Sequence, residues 1–283
     1  MTSKGRRLRI GPVHVPAGYS LPPRPAEEEA EAQDAYRQSM FLLGEELALF
    51  RRAMGMQLAM AQAMARSRTP EAAALLLLWS RAFACLDGAC RLLLVGRYAA
   101  CPPLVRAACD LVAAQRGLME SRFQEWWGWL ESYPAPEREH AALEVALGRY
   151  RSSAAIAQHP RLAAIYRAAQ ELSQPHLGAT VVEAAPEVAA DHLPVPFAES
   201  RFHLGWSQVM MGWLLELCLI QLDTAVASGL LAEEAVSAQE ELRQEVETVL
   251  SRPERCQLKE AGGRFLLVNF RRSPGALPRR ILL

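Results

Sequence analysis

Residues 209–231 read VMMGWLLELCLIQLDTAVASGLL and residues 72–96 read AAALLLLWSRAFACLDGACRLLLVG, and these two stretches decide the fold. Both have the length and apolarity of a membrane span. Each, however, carries polar groups at mid-span: Glu216, Gln221 and Asp223 in the first, Arg81, Asp87 and Arg91 in the second. A charge at the bilayer centre costs about 3 kcal/mol or more, so both stretches read as core helices of a protein with no membrane partner. Being apolar nearly all round, both are expected at the centre of the protein. The fold class is therefore all-α, a bundle of six or seven helices with a small C-terminal β-hairpin.

Upstream of these stretches, Met40, Leu43, Leu47, Phe50, Met54, Leu58 and Ala61 recur at steps of three or four, which predicts one long helix from about Ala26 to Arg68. Acids crowd its start and Arg66 and Arg68 its end, as the helix dipole favours. Met54, Met56, Met60 and Met64 on this helix read as core filling. Thr69-Pro70-Glu71 is a helix start, with a hydroxyl cap followed by proline at the first helical position. A third helix is expected from Pro103 to Ser132, with shorter ones at 137–150 and 160–173. An irregular stretch at 174–196 follows, within which Val181–Ala190 has the pattern of a short helix. The apolar helix then spans Glu199 to Ser228, and an acidic amphipathic helix with Leu231, Ala235, Ala238, Leu242, Val246 and Val249 on its seam spans 231–250. Gly262 and Gly263 between Arg255–Glu260 and Arg264–Phe270 predict the hairpin. Three regions result: a proline-rich basic arm (1–25), the helical domain (26–251), and the hairpin with a basic tail (252–283).

The 283 residues are 51% hydrophobic and 22% charged, which excludes disordered, collagen-like and disulfide-scaffold classes. Formal net charge is zero, but the basic groups concentrate at the ends. Residues 1–25 carry Lys4, Arg6, Arg7, Arg9 and Arg24 with no acid, and residues 252–283 carry eight basic groups against Glu254 and Glu260. Such arms either bind nucleic-acid phosphates or fold back on the acidic body. The absence of interleaved aromatics favours folding back. The preference for Arg over Lys and Glu over Asp, with abundant Ala, points to a GC-rich bacterial genome. The six cysteines form no CxxC pair and read as reduced thiols, and no signal peptide is visible, so a cytoplasmic location is expected.

Several charges fall where a core helix should be apolar. Arg106, Asp110, Ala113 and Gly117 share one face, and Gln208, Gly212, Glu216 and Asp223 another. Buried charges need partners, so cross-helix pairs of Arg91 or Arg106 with Glu216 or Asp223 are expected, with a polar ligand pocket as the alternative. Ser173 and His176 flank Pro175, which turns the chain out of helical geometry and lets the two side chains meet. Trp126, Trp127 and Trp129 form the other candidate surface; Trp126 and Trp129 share a face, leaving Trp127 to point elsewhere as a binding hot spot. For a metal, only Glu137-x-x-His140 has the di-iron spacing, with Glu199 and His203 at i, i+4, so no metal site and no cofactor is expected. HExxH, GxSxG, P-loop and Rossmann signatures are absent.

Arg106-Ala-Ala-Cys-Asp110 after Pro103, together with Tyr166-Arg-Ala-Ala-Gln-Glu-Leu-Ser-Gln-Pro-His176, resembles uncharacterised bacterial helical proteins that are distantly similar to the HEPN superfamily. The resemblance covers roughly residues 36–230. It implies a helical domain of the kind found in toxin and phage-defence nucleases and in non-catalytic scaffolds. The nucleases of that superfamily carry an arginine four to six residues ahead of a histidine. Here Arg167 and His176 are separated by eight residues, and only Arg7 or Arg9 with His14, in the arm, has the nuclease spacing. The expected function is accordingly a non-enzymatic interaction module in a defence or toxin–antitoxin type system, binding a protein partner or itself through the hairpin and tryptophans. The alternative is a divergent nucleic-acid-processing enzyme using Arg106, Asp110, Ser173 and His176, and a weaker one a metal-dependent oxidase.

Overall fold

Helix α9, Leu204–Ala227, is the element around which the chain is arranged. Between Leu204 and Leu222 every residue except Gln208 and Glu216 is buried. The computed structural model describes residues 10–132, 152–184, 200–229 and 233–282, and it is mostly helical with a small antiparallel sheet near the C-terminus. Helices α2 (Gly44–Ala65), α3 (Pro70–Leu94), α4 (Cys101–Glu120), α7 (Pro160–Leu172) and α10 (Glu233–Leu250) pack against α9. Helices α1 (Ala30–Leu42), α5 (Gln124–Ser132), α6 (Ser153–Ala157) and α8 (Leu177–Ala184) lie outside this shell.

The two apolar stretches have different fates. In α9, 83% of the most apolar window is buried; in α3 it is 39%. The expectation that α3 is central holds only in part: it packs on α1, α2, α4 and α9 and receives Tyr19 of the arm, yet it leaves Leu77 60% exposed. Composition reports how apolar a helix is, and the neighbours of α3 do not cover it all round.

Helix ends follow local chemistry. Thr69 Oγ1 accepts from the Ala72 N–H at 3.2 Å and Pro70 occupies the first turn of α3, as predicted. Gly96, at φ 77°, closes α3: its N–H donates to Leu93 O and that of Arg97 to Leu92 O, a Schellman end. The long helices predicted at 26–68 and 103–132 are each broken. Leu43 leaves helical geometry (φ −112°, ψ 21°) next to Gly44 and separates α1 from α2 while its side chain stays buried. Arg122 and Phe123, both left-handed (φ 50° and 62°), end α4 and launch α5. The chain therefore has more helices than six or seven. The helix expected at 137–150 lies outside the described residues, as does the part of 174–196 beyond 184.

The hairpin is one part of a three-stranded sheet in the order β1 (Gln257–Ala261), β2 (Arg264–Phe270), β3 (Arg279–Leu282). Gly262 and Gly263, at φ 60° and 76°, make the two-residue turn, with Ala261 opposite Arg264. β3 escaped the sequence reading because four residues after Pro278 are too short to show alternation. Leu267 and Phe270 of β2 are buried, Phe270 against Trp206 and Gly205 of α9. Residues 10–25 of the arm pack on the helices, while Lys4, Arg6, Arg7 and Arg9 lie outside the described residues and Arg24 bonds Gln33. The Tyr19 hydroxyl donates to Asp87 at 2.9 Å, and its ring packs edge-on to Phe50 and Phe83. Pro16 O and Pro22 O accept from Gln62 and Tyr36.

Candidate functional site

The polar face predicted on α9 exists, and its cation comes from an unexpected place. Arg255, just ahead of β1, is 5% exposed and lies over Gly212, where a Cβ would sit 3.1 Å from its Nη1. Its Nη2 donates to Gln208 O at 2.6 Å, and its Nε is 3.5 Å from Glu46 Oε1 of α2. The Gln208 side chain in turn accepts from the Cys256 N–H. Burial lowers the Arg255 guanidinium from its ordinary value, and Glu46 opposes that shift. Burial raises the Glu216 carboxyl, one turn beyond Gly212, against the pull of Arg161 and Arg255. This cluster ties α2, α9 and the C-terminal segment together.

The pairs expected of Arg91 and Arg106 are corrected. Arg91 bonds Asp87 within α3 at 2.7 Å, and Asp223 pairs with Arg243 and Gln239 of α10. The Arg106 Nε is buried with no hydrogen-bond partner among the described residues. Between α4 and α9 the link is instead an amide pair, Gln115 with Gln221, reciprocal at 2.9 Å. Neutral amides satisfy each other without the desolvation cost of a charge.

The four catalytic candidates are not brought together. Asp110 accepts from Ser152 Oγ at 2.5 Å, anchoring the start of α6 on α4. Ser173 Oγ donates back to Ala169 O at 2.6 Å. His176 is exposed and faces Glu171 at 3.1 Å, away from the serine hydroxyl's bond. Of the metal candidates, Glu137, His140 and Glu199 lie outside the described residues, while His203 caps α9 with Nδ1 accepting from the Trp206 N–H at 3.3 Å. Burial lowers the His203 imidazole to about 4. Among the described residues no three His, Cys, Asp or Glu side chains are grouped to hold a metal ion. Burial raises the Cys90, Cys109 and Cys218 thiols well above their ordinary value and Cys256 to about 12, the opposite of a nucleophile's requirement.

The tryptophans form the other surface. Trp126 and Trp129 stack with centroids 5.3 Å apart and planes 18° from parallel, as their shared face predicted. Trp127 is 39% exposed, and the Trp126 Nε1 is buried with no hydrogen-bond partner among the described residues. No helix except α4 makes substantial contact with α5 among the described residues. Sequence reasoning missed Arg255 and Glu46 and weighed His203 only as a metal ligand; Glu46 and the cap of His203 carried a signal, an acid in a helix's first turn and a side-chain acceptor three residues ahead of a helical N–H. No protein-family model, curated protein or solved structure matches the chain.

Proposed function

We propose that the chain is a non-enzymatic helical interaction module, a bundle that docks a protein partner or a second copy of itself through the α5 tryptophans. One observation carries the reading: two left-handed residues swing α5 off the end of α4, and the helix presents the Trp127 indole beside a stacked pair that stiffens it. Large rigid aromatics at an exposed position are the usual energetic centres of protein interfaces. The candidate catalytic groups support the same reading, since three of the four are engaged in separate bonds. The resemblance carried by residues 106–110 and 166–176 supports a setting of the defence or toxin–antitoxin type, and the unpaired cysteines and the Arg, Glu and Ala bias support a cytoplasmic, bacterial one.

Native mass spectrometry of the protein drawn from its host's lysate tests this, with nuclease treatment to remove nucleic acid. A stoichiometric protein partner or homo-oligomer is expected, lost in Trp127→Glu and retained in Arg264→Glu at the exposed β1–β2 turn. A monomer without partner, or a complex indifferent to Trp127→Glu, counts against it.

A further inference from the structure

The extended segment around His14 lies beside the end of α2 and the turn into α3, and the two flank an open cleft of about 670 Å³. Its lining includes His14, Gln62, Arg66 and Arg68, with Val13 and Val15, and no acidic residue. None of the His14, Arg66 and Arg68 side chains has a hydrogen bond or ion pair among the described residues. Five arginines elsewhere each face a carboxylate, Arg52 with Glu245, Arg97 with Glu28, Arg161 with Glu247, Arg167 with Glu260 and Arg252 with Glu45, whereas this lining offers none. The neighbouring hydroxyls are already engaged, Ser67 Oγ on Met64 O and Thr69 Oγ1 on the Ala72 N–H. Arg68 also holds a left-handed backbone, φ 49°, which glycine adopts without strain and arginine does not. Just before the described residues the sequence adds Lys4, Arg6, Arg7 and Arg9, and no acid precedes Glu27.

Two guanidiniums on one cleft with no carboxylate in its lining give it a positive field that an anion can join. A guanidinium presents paired N–H groups matched to the oxygens of a phosphate. The cleft wall has valines and an alanine but no aromatic ring, so nothing in it stacks a base. We propose that this cleft is a phosphate-binding site, with Arg66 and Arg68 gripping the oxyanion and His14 completing its shell. The site is separate from the α5 surface and does not depend on the docking reading.

The probes are inorganic pyrophosphate, by calorimetry, and a labelled single-stranded oligouridylate, by anisotropy. Wild type is expected to bind at least one: pyrophosphate alone identifies a free phosphate ligand, and the oligonucleotide identifies a phosphodiester backbone. For the latter, two arginines each neutralising one phosphate give a slope of log affinity against log salt of about −1.4, and Arg66→Gln reduces its size by about 0.7. Arg66→Gln and Arg68→Gly each weaken binding about tenfold or more. Arg68→Gly at the same time raises the melting temperature by relieving the left-handed strain, which separates a lost charge from a lost fold. Arg81→Gln, on α3 and outside the cleft lining, and Trp127→Glu leave binding unchanged. The proposal is overturned if neither probe binds, or if binding survives both Arg66→Gln and Arg68→Gly.

Discussion

Acidifying the protein should loosen the start of its central helix, and the size of the effect can be worked from one side chain. His203 is 5% exposed, stacks on Phe270 with centroids 4.5 Å apart, and caps α9 through Nδ1. A proton on that nitrogen ends the cap and strands a charge against Phe270, at a residue whose backbone N–H is already held by the Tyr98 hydroxyl. Burial accordingly depresses the imidazole to about 4, with Arg279 adding to the effect. An unfolded histidine titrates near 6.5. Between those values the unfolded chain binds the extra proton, so the stability this group contributes is fully present above about pH 6.5 and is lost as pH falls towards about 4. At 1.36 kcal/mol per unit the loss is about 3 kcal/mol. His159, which caps α7 in the same way with a lowered imidazole, adds a smaller loss because it is partly exposed. His203→Asn isolates the effect, since asparagine supplies a cap acceptor that does not titrate. Urea unfolding followed by tryptophan fluorescence near pH 7 and near pH 4 should show wild type losing about 3 kcal/mol more than the variant. Equal losses in the two proteins would mean that His203 titrates normally in the fold, and the reasoning fails.

Other outcomes follow from features of the same kind. Gly96→Ala places a Cβ 2.6 Å from Arg201 O at φ 77°, so thermal unfolding should report a loss of more than about 1 kcal/mol. Arg255→Met leaves Glu46 buried without its cation and should cost about 3–5 kcal/mol in chemical denaturation; adding Glu46→Leu to the same chain should recover part of that loss, and no recovery would refute the pairing. Thr69→Ala should cost about 1 kcal/mol through the α3 cap, read as a lower denaturation midpoint with unchanged slope.

The pattern of side chains made much of this fold legible. Leu43, Leu47, Phe50, Met54 and Leu58 are buried as their spacing required, and the methionines of α2 fill the core. The turn at Gly262–Gly263 and the cap at Thr69 were readable because each rests on a few adjacent residues. What escaped depends on partners distant in sequence. The side chains of α3 do not say which side will be covered, and Ala238 on the expected seam of α10 is exposed because Gln239 turns inward to Asp223 instead. The face Gln208–Gly212–Glu216 announced a buried cation, yet nothing local named Arg255 over Arg91 or Arg106. Hairpin residues follow no helical period, so the buried cation of the site was hidden in the segment read as the hairpin and basic tail.

The first turn of α9 has an unusual supplier. The Leu204 N–H donates to Arg272 O and the Gly205 N–H to Arg271 O, each at 2.9 Å, so the chain segment following β2 satisfies groups that a helix normally leaves to its own flank. During synthesis these carbonyls emerge long after the helix they serve. Until the ribosome has passed residue 272, the most apolar helix of the protein has an open end and lacks Arg255, Leu267 and Phe270 along its side. The nascent chain therefore holds part of its α9 surface uncovered until its last segment is made, an interval in which chaperones would meet it and truncation would leave it exposed.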